Sequence, residues 1–113
     1  MKDDGVYLQH IRDAIHQIRS YTQEGKDPFL ADRKSQDATI RNLEIIGEAV
    51  KRLSPRLRST HPDVPWKRIA GMRDKMIHDY FGIDHRLVWD VVERELPRLL
   101  QVVEESLSHL PSA

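Results

Sequence analysis

The sequence contains no cysteine. That excludes disulfides and thiolate metal sites, and nothing points to an oxidising compartment. No apolar run comes near the ~20 residues that a membrane-spanning helix needs. No signal-peptide core follows Met1-Lys2-Asp3-Asp4-Gly5, so the expected location is the cytoplasm. Strand-like alternation, internal repeats, low-complexity tracts and linkers are all missing. A net charge is missing as well: 18 basic residues balance 18 acidic ones. What remains is a chain of 113 residues, expected to form one domain over 1–113. A chain of that length buries about two thirds of its unfolded surface.

The zero net charge looks unfavourable for a nucleic-acid binder, but the distribution matters more than the sum. Between Lys51 and Lys75 the basic residues are Lys51, Arg52, Arg56, Arg58, Lys67, Arg68, Arg73 and Lys75, and the acids are Asp63 and Asp74, a net +6. This segment is either a solvated, arginine-rich helix end and loop or a local surface able to hold phosphates.

The apolar residues recur at helical spacing. Tyr7, Ile11, Ala14, Ile15, Ile18 and Tyr21 mark a first helix over roughly 4 to 23. Gly25 ends it, and Asp27-Pro28 reads as a turn or a cap with a first-turn proline. His10 and His16, six apart, lie off one helical face and read as surface or groove residues, not metal ligands. Phe29 and Leu30 are expected to pack the connection. A second helix spans about 32 to 53, with a stripe of Ala38 or Thr39, Leu43 or Asn42, Ile46, Ala49 or Val50, and Leu53. Gly47 inside it costs about 1 kcal/mol relative to alanine, and the close approach of another helix would offset that. Arg41, Asn42, Glu44 and Glu48 beside it are ordinary helix surface or the polar lining of a site or dimer seam.

Ser54-Pro55 is a cap followed by a first-turn proline, so a short helical turn is expected over 55 to 60. His61-Pro62-Asp63-Val64-Pro65 is an extended link, since a residue before proline is pushed out of the helical region. A third long helix opens at Trp66, with Trp66, Ile69, Met72 and Met76 as its apolar face, and Phe81-Gly82 closes it. Asp84 caps a fourth through Leu87, Val88, Val91 and Val92. Pro97 kinks it or starts a new helix near Leu96, and Leu99, Leu100, Val103 and Leu107 carry the pattern to about His109. Pro111 ends it. The expected fold is an all-α bundle of four or five helices.

The chemistry concentrates in Ala70-Gly-Met-Arg-Asp-Lys-Met-Ile-His-Asp-Tyr80. Arginine offers a planar, permanently charged fork for phosphate oxygens. Histidine gives and takes protons near neutrality. Together they are the minimum for cutting RNA without a metal. His78 would deprotonate the ribose 2′-OH or protonate the leaving 5′-oxygen, and Arg73 would hold the phosphate. Asp74, one turn before His78, could orient its imidazole. Tyr80 could hydrogen-bond the phosphate or stack on a base. On an ideal helix Arg73 and Tyr80 point nearly the same way, but His78 lies roughly 140° from Arg73. One straight helix cannot aim all three at one point. Either the helix loosens near His78, or a symmetric partner brings a second copy of the motif to a shared cleft. Three such residues also arise in an ordinary ion-paired helix surface.

Arg73-Asp-Lys-Met-Ile-His78-Asp-Tyr80 resembles the Arg-x4-His-x-Tyr signature of the HepT-like toxins in the HEPN superfamily. The resemblance extends to Ile40-Arg-Asn-Leu-Glu-Ile-Ile-Gly-Glu-Ala49, Pro62-Asp-Val-Pro-Trp66, Ile69-Ala-Gly-Met72, His78-Asp-Tyr-Phe-Gly82, Val88-Trp-Asp-Val-Val92 and Glu95-Leu-Pro97. It implies a single HEPN domain: an antiparallel bundle of four to five helices that dimerises, with both Arg-His motifs lining the cleft. It implies an endoribonuclease that needs no metal or other cofactor, the toxin of a type II toxin–antitoxin pair. Arg73 and His78 match its catalytic positions, and Asp74 fits the polar residue that usually follows the arginine. Tyr80 matches the tyrosine to which MNT-type nucleotidyltransferase antitoxins transfer AMP from ATP. An AMP there would place a base, a ribose and a phosphodiester anion beside Arg73.

Two other readings compete. A non-catalytic accessory subunit of a nucleotidyltransferase would use the same motif to bind a nucleotide or a protein surface, and would leave RNA intact. A metal-binding four-helix bundle would need inward Glu-x-x-His spacings, and the chain offers only Glu105 and His109, four apart near a helix end.

Overall fold

The computed structural model describes residues 4–78 and 82–110; for Arg73, Met76, Ile77 and His78 it describes the backbone only. Among the described residues there are seven helices and no strand. They are α1 (Asp4–Thr22), α2 (Lys26–Ala31), α3 (Arg33–Arg52), α4 (Pro55–Thr60), α5 (Trp66–His78), α6 (His85–Arg94) and α7 (Leu96–Ser108). The four longest helices form a row in which α7 packs on α1, α1 on α3, and α3 on α5. The shorter α6 packs against α7 and touches α2.

The caps set these boundaries. Asp32 accepts from the Lys34 amide at 3.1 Å and from the Ser35 hydroxyl at 2.7 Å, which starts α3. The Ser35 bond, ahead of the backbone amides, holds the Asp32 carboxyl below its ordinary range. Ser54 accepts from the Leu57 amide at 3.2 Å, and Asp84 from the Arg86 amide at 2.9 Å. Ser54 also donates to Asp4 at 2.7 Å, while its own amide meets the other Asp4 oxygen at 2.8 Å. The start of α1 is thereby tied to the end of α3, so these two packed helices run antiparallel.

The count exceeds the four or five helices read from the sequence. Pro97 begins a separate helix after a break at Glu95, and α4 forms a full short helix. The unexpected element is α2, which occupies the expected Asp27-Pro28 turn. Gly25, at φ 102°, admits it in the left-handed region open to glycine. The Gln36 side chain, buried in α3, donates to the Phe29 and Leu30 carbonyls at 3.0 Å each and satisfies the last turn of α2. Phe29 is 1% exposed and meets Trp89 at 5.5 Å between ring centroids.

The core follows the expected stripes of α1, α3 and α7, except that Tyr21 and Leu107 are only half-buried, with Thr39, Leu43, Ile46, Ala49 and Val50 inward in α3; of the α5 stripe Trp66, Ile69 and Met72 are buried. Gly47 is buried there as well. One stripe is corrected. In α6 the buried residues are Val88 and Trp89, Val91 and Val92 are half-buried, and Leu87 is 48% exposed. The cause is that α6 faces α2 through Trp89 as well as α7, which turns Leu87 outward.

Candidate active site

The motif lies on α5, whose start is pinned by Trp66. Its indole N–H donates to the carbonyls of Arg58 and His61, both at 2.9 Å. Burial of Trp66, Ile69 and Met72 then fixes the rotation of the helix about its axis. Lys67, Gly71, Asp74 and Lys75 are consequently exposed.

The backbone is α-helical without a break from Trp66 through His78. The roughly 140° between positions 73 and 78 on a regular helix therefore stands along this backbone, while the stretch between His78 and Gly82, where loosening is one expectation, lies outside the described residues. The side chains of Arg73, Met76 and His78, and all of Tyr80 and Phe81, lie outside the described residues, as does Pro111. Asp74 reaches across to α3, where its carboxylate meets the Lys51 ammonium at 3.3 Å. Both groups are substantially exposed, so this bridge is worth at most about 1 kcal/mol. It nevertheless fixes where the carboxylate stands, one turn before His78.

The basic segment is partly neutralised. Arg52 pairs with Glu48 at 3.2 Å, Arg68 pairs with Glu95, and Lys51 pairs with Asp74. Asp63 pairs with Arg98 at 2.8 Å, which holds its carboxyl below the ordinary range. Among the described residues Arg56, Arg58, Lys67 and Lys75 make no ion pair. Both acids of the segment are thus engaged, while four of its cations remain available. Arg41 pairs with Glu44 at 3.5 Å, Asn42 donates to the Ala38 carbonyl at 2.9 Å, and Glu48 holds Arg52.

A groove of about 600 Å³ runs between α5 and α6. Met72, Leu87, Val88 and Val91 give it apolar walls, and Arg68 and Lys75 stand at its lip. Its end is formed by Gly82, Ile83 and Asp84, immediately after the motif. His10 and His16 are exposed; His10 packs edge-on against Tyr7, and His16 lies beside Arg12 and Glu104. Among the described residues no three His, Asp or Glu side chains gather as metal ligands, and no helix is long and apolar enough to cross a membrane.

Sequence reasoning did not find the Lys51–Asp74 contact, because it joins residues 23 apart on different helices. The exposed file of Lys67, Gly71 and Lys75 carried a signal that was passed over, the i, i+4, i+8 spacing that puts residues on one helical face.

Comparison with known proteins places the chain in a family. The model of the "Ribonuclease HepT-like" family matches residues 11–106. A Caldanaerobacter subterraneus protein named "Putative RNase" is 44% identical over 113 residues, covering 95% of this chain and 96% of its own. A Thermococcus cleftensis protein named "Probable ribonuclease HepT" is 47% identical over 94 residues, covering 82% and 86%. A Methanocaldococcus jannaschii protein named "Gamma-glutamylcyclotransferase and putative RNase" is 43% identical over 109 residues. That match covers 92% of this chain, which spans about half the length of the relative, 49%. No solved structure matches. With its family model matched over 11–106 and full-length relatives above 40% identity, the chain belongs to the HepT-like ribonuclease family.

Proposed function

We propose that this chain, a ribonuclease by family, is the toxin of a type II toxin–antitoxin pair and cuts RNA internally without a metal. The observation that carries the reading is an intact Arg73…His78 pair on an unbroken α5, inside a chain matched to a ribonuclease family. His78 takes the proton from a ribose 2′-OH. The 2′-oxygen then attacks phosphorus and the bond to the 5′-oxygen breaks. The products are a 2′,3′-cyclic phosphate and a 5′-hydroxyl, the latter protonated by an imidazolium. Arg73 offsets the charge that builds on the phosphate oxygens. Asp74 positions the imidazole from one turn away. Because one α5 cannot direct positions 73 and 78 to a common point, the site is assembled from two copies in a homodimer, each lending its motif to one cleft.

Tyr80 is the switch. A nucleotidyltransferase antitoxin of the MNT type transfers AMP from ATP to its phenol oxygen and releases pyrophosphate. The added nucleotide fills the place of the RNA phosphate and brings a negative charge to Arg73.

Two measurements test this. The purified protein in EDTA should cleave RNA to 2′,3′-cyclic phosphate ends, and Arg73→Ala and His78→Ala should each lower the rate by roughly 10²-fold or more. Undiminished cleavage by His78→Ala would contradict the assignment. Intact mass after co-expression with a partner nucleotidyltransferase should show AMP-sized increments on the wild type and none on Tyr80→Phe. Tight partner binding with no increment and no cleavage by the free protein would indicate a non-catalytic accessory subunit instead.

A further inference from the structure

Gly71 stands in the middle of α5, and nothing among the described residues accounts for it. It is exposed, and a Cβ built there would meet no atom within 4 Å. Its φ is not positive, since Gly25 alone has that conformation among the described residues. Glycine in a helix interior is costly relative to alanine. Here it serves neither backbone geometry nor internal packing, so the explanation lies outside the chain, in something that comes close to the helix.

The neighbours indicate what that is. Lys67 and Lys75 stand one turn to either side of Gly71 on the same face. Both are exposed, and among the described residues neither makes an ion pair. They are roughly 12 Å apart along the axis, and position 78 follows about 4.5 Å beyond Lys75. Of the acids nearby, Asp74 is held by Lys51. Across the groove that Gly71 and Lys75 line, Asp84 caps α6, Glu95 pairs with Arg68, and Asp90 stands on the α6 wall with Arg94. This face of α5 therefore presents two cations unpaired among the described residues, Lys67 and Lys75, around a bare centre. A second copy of α5 crossing at Gly71 about a twofold axis would bring lysines against lysines. A polyanionic strand would meet complementary charge and find room for its backbone.

We propose that a single RNA strand lies along this face of α5. Lys67 and Lys75 hold phosphates, Gly71 admits the sugar–phosphate backbone, and the strand is led toward His78. The inference rests on the ribonuclease reading above and adds the path of its substrate.

The test measures binding apart from cleavage. The probe is a fluorescent, mixed-sequence single-stranded oligoribonucleotide with every 2′-hydroxyl methylated, so that it cannot be cut. Binding is read by anisotropy across a salt series, and oligomeric mass by sedimentation. Lys67→Ala/Lys75→Ala should raise Kd roughly tenfold and reduce the log–log salt slope by about 1.4, near 0.7 for each lost phosphate contact. Gly71→Leu should weaken binding comparably with both lysines present, and Gly71→Ala should do so to a smaller degree. Lys34→Ala, on α3, should leave binding unchanged. Unchanged affinity in the Gly71 and lysine variants overturns the track. So does an equal loss in Lys34→Ala, or a change of oligomeric mass in Gly71→Leu, which would give the face to a second copy. A wild type that binds the probe as described but cuts no unmodified RNA would retire the ribonuclease mechanism and leave the track standing. Normal cleavage with unaltered variant affinities would do the reverse.

Discussion

Two glycines within helices illustrate how much a single residue reveals. Gly47 is buried in α3, the helix that packs on both α1 and α5. Gly71 faces open space. Substituting alanine at Gly71 should therefore stabilise the fold by about 1 kcal/mol, since it restores helix propensity without a clash. Urea unfolding monitored by circular dichroism checks this, and a loss of stability would show that Gly71 has an internal role. Several single residues were legible from sequence because their physics is local. Ser54 and Asp84 cap the helices they were expected to cap, bonding an amide three and two residues on; Asp32 does the same for α3, where no cap was expected. Asp74 was legible in part. Its spacing offered His78 as a neighbour, but only the fold brings Lys51 to 3.3 Å.

At the scale of elements, length decided what could be read. The helices α1, α3 and α7 each present several turns of one apolar stripe, so periodicity locates them to within a residue or two. The six residues of α2 hold under two turns and no period, and Pro28 within them reads as a break. Its existence depends on Gln36 and Trp89, from other helices. The misassigned face of α6 has the same origin, because Trp89 is recruited by Phe29 across sixty positions of sequence. The junction of α3 with α4 makes a prediction at this scale. Ser54 both caps α4 and donates to Asp4 at the start of α1. Ser54→Ala should lower stability by about 1–2 kcal/mol, read as a shift of the urea midpoint. An unchanged midpoint would mean that the cap and the tie are replaced by water without loss.

For the whole molecule, the main constraint is the unbroken backbone of α5. The motif's residue types were plain in the sequence, and so was the angular conflict between Arg73 and His78. What the sequence left open was whether the helix relaxes to resolve that conflict. It does not through position 78, which supports the proposed site shared by two chains. The measurement that tests this most directly uses a heterodimer of differently tagged Arg73→Ala and His78→Ala chains, purified through both tags. It is assayed on RNA in EDTA beside the two homodimers. The account predicts that both homodimers are inert and that the heterodimer cuts, because His78 of one chain meets Arg73 of the other. An inert heterodimer, beside an active wild type carrying the same tags, would contradict the shared site.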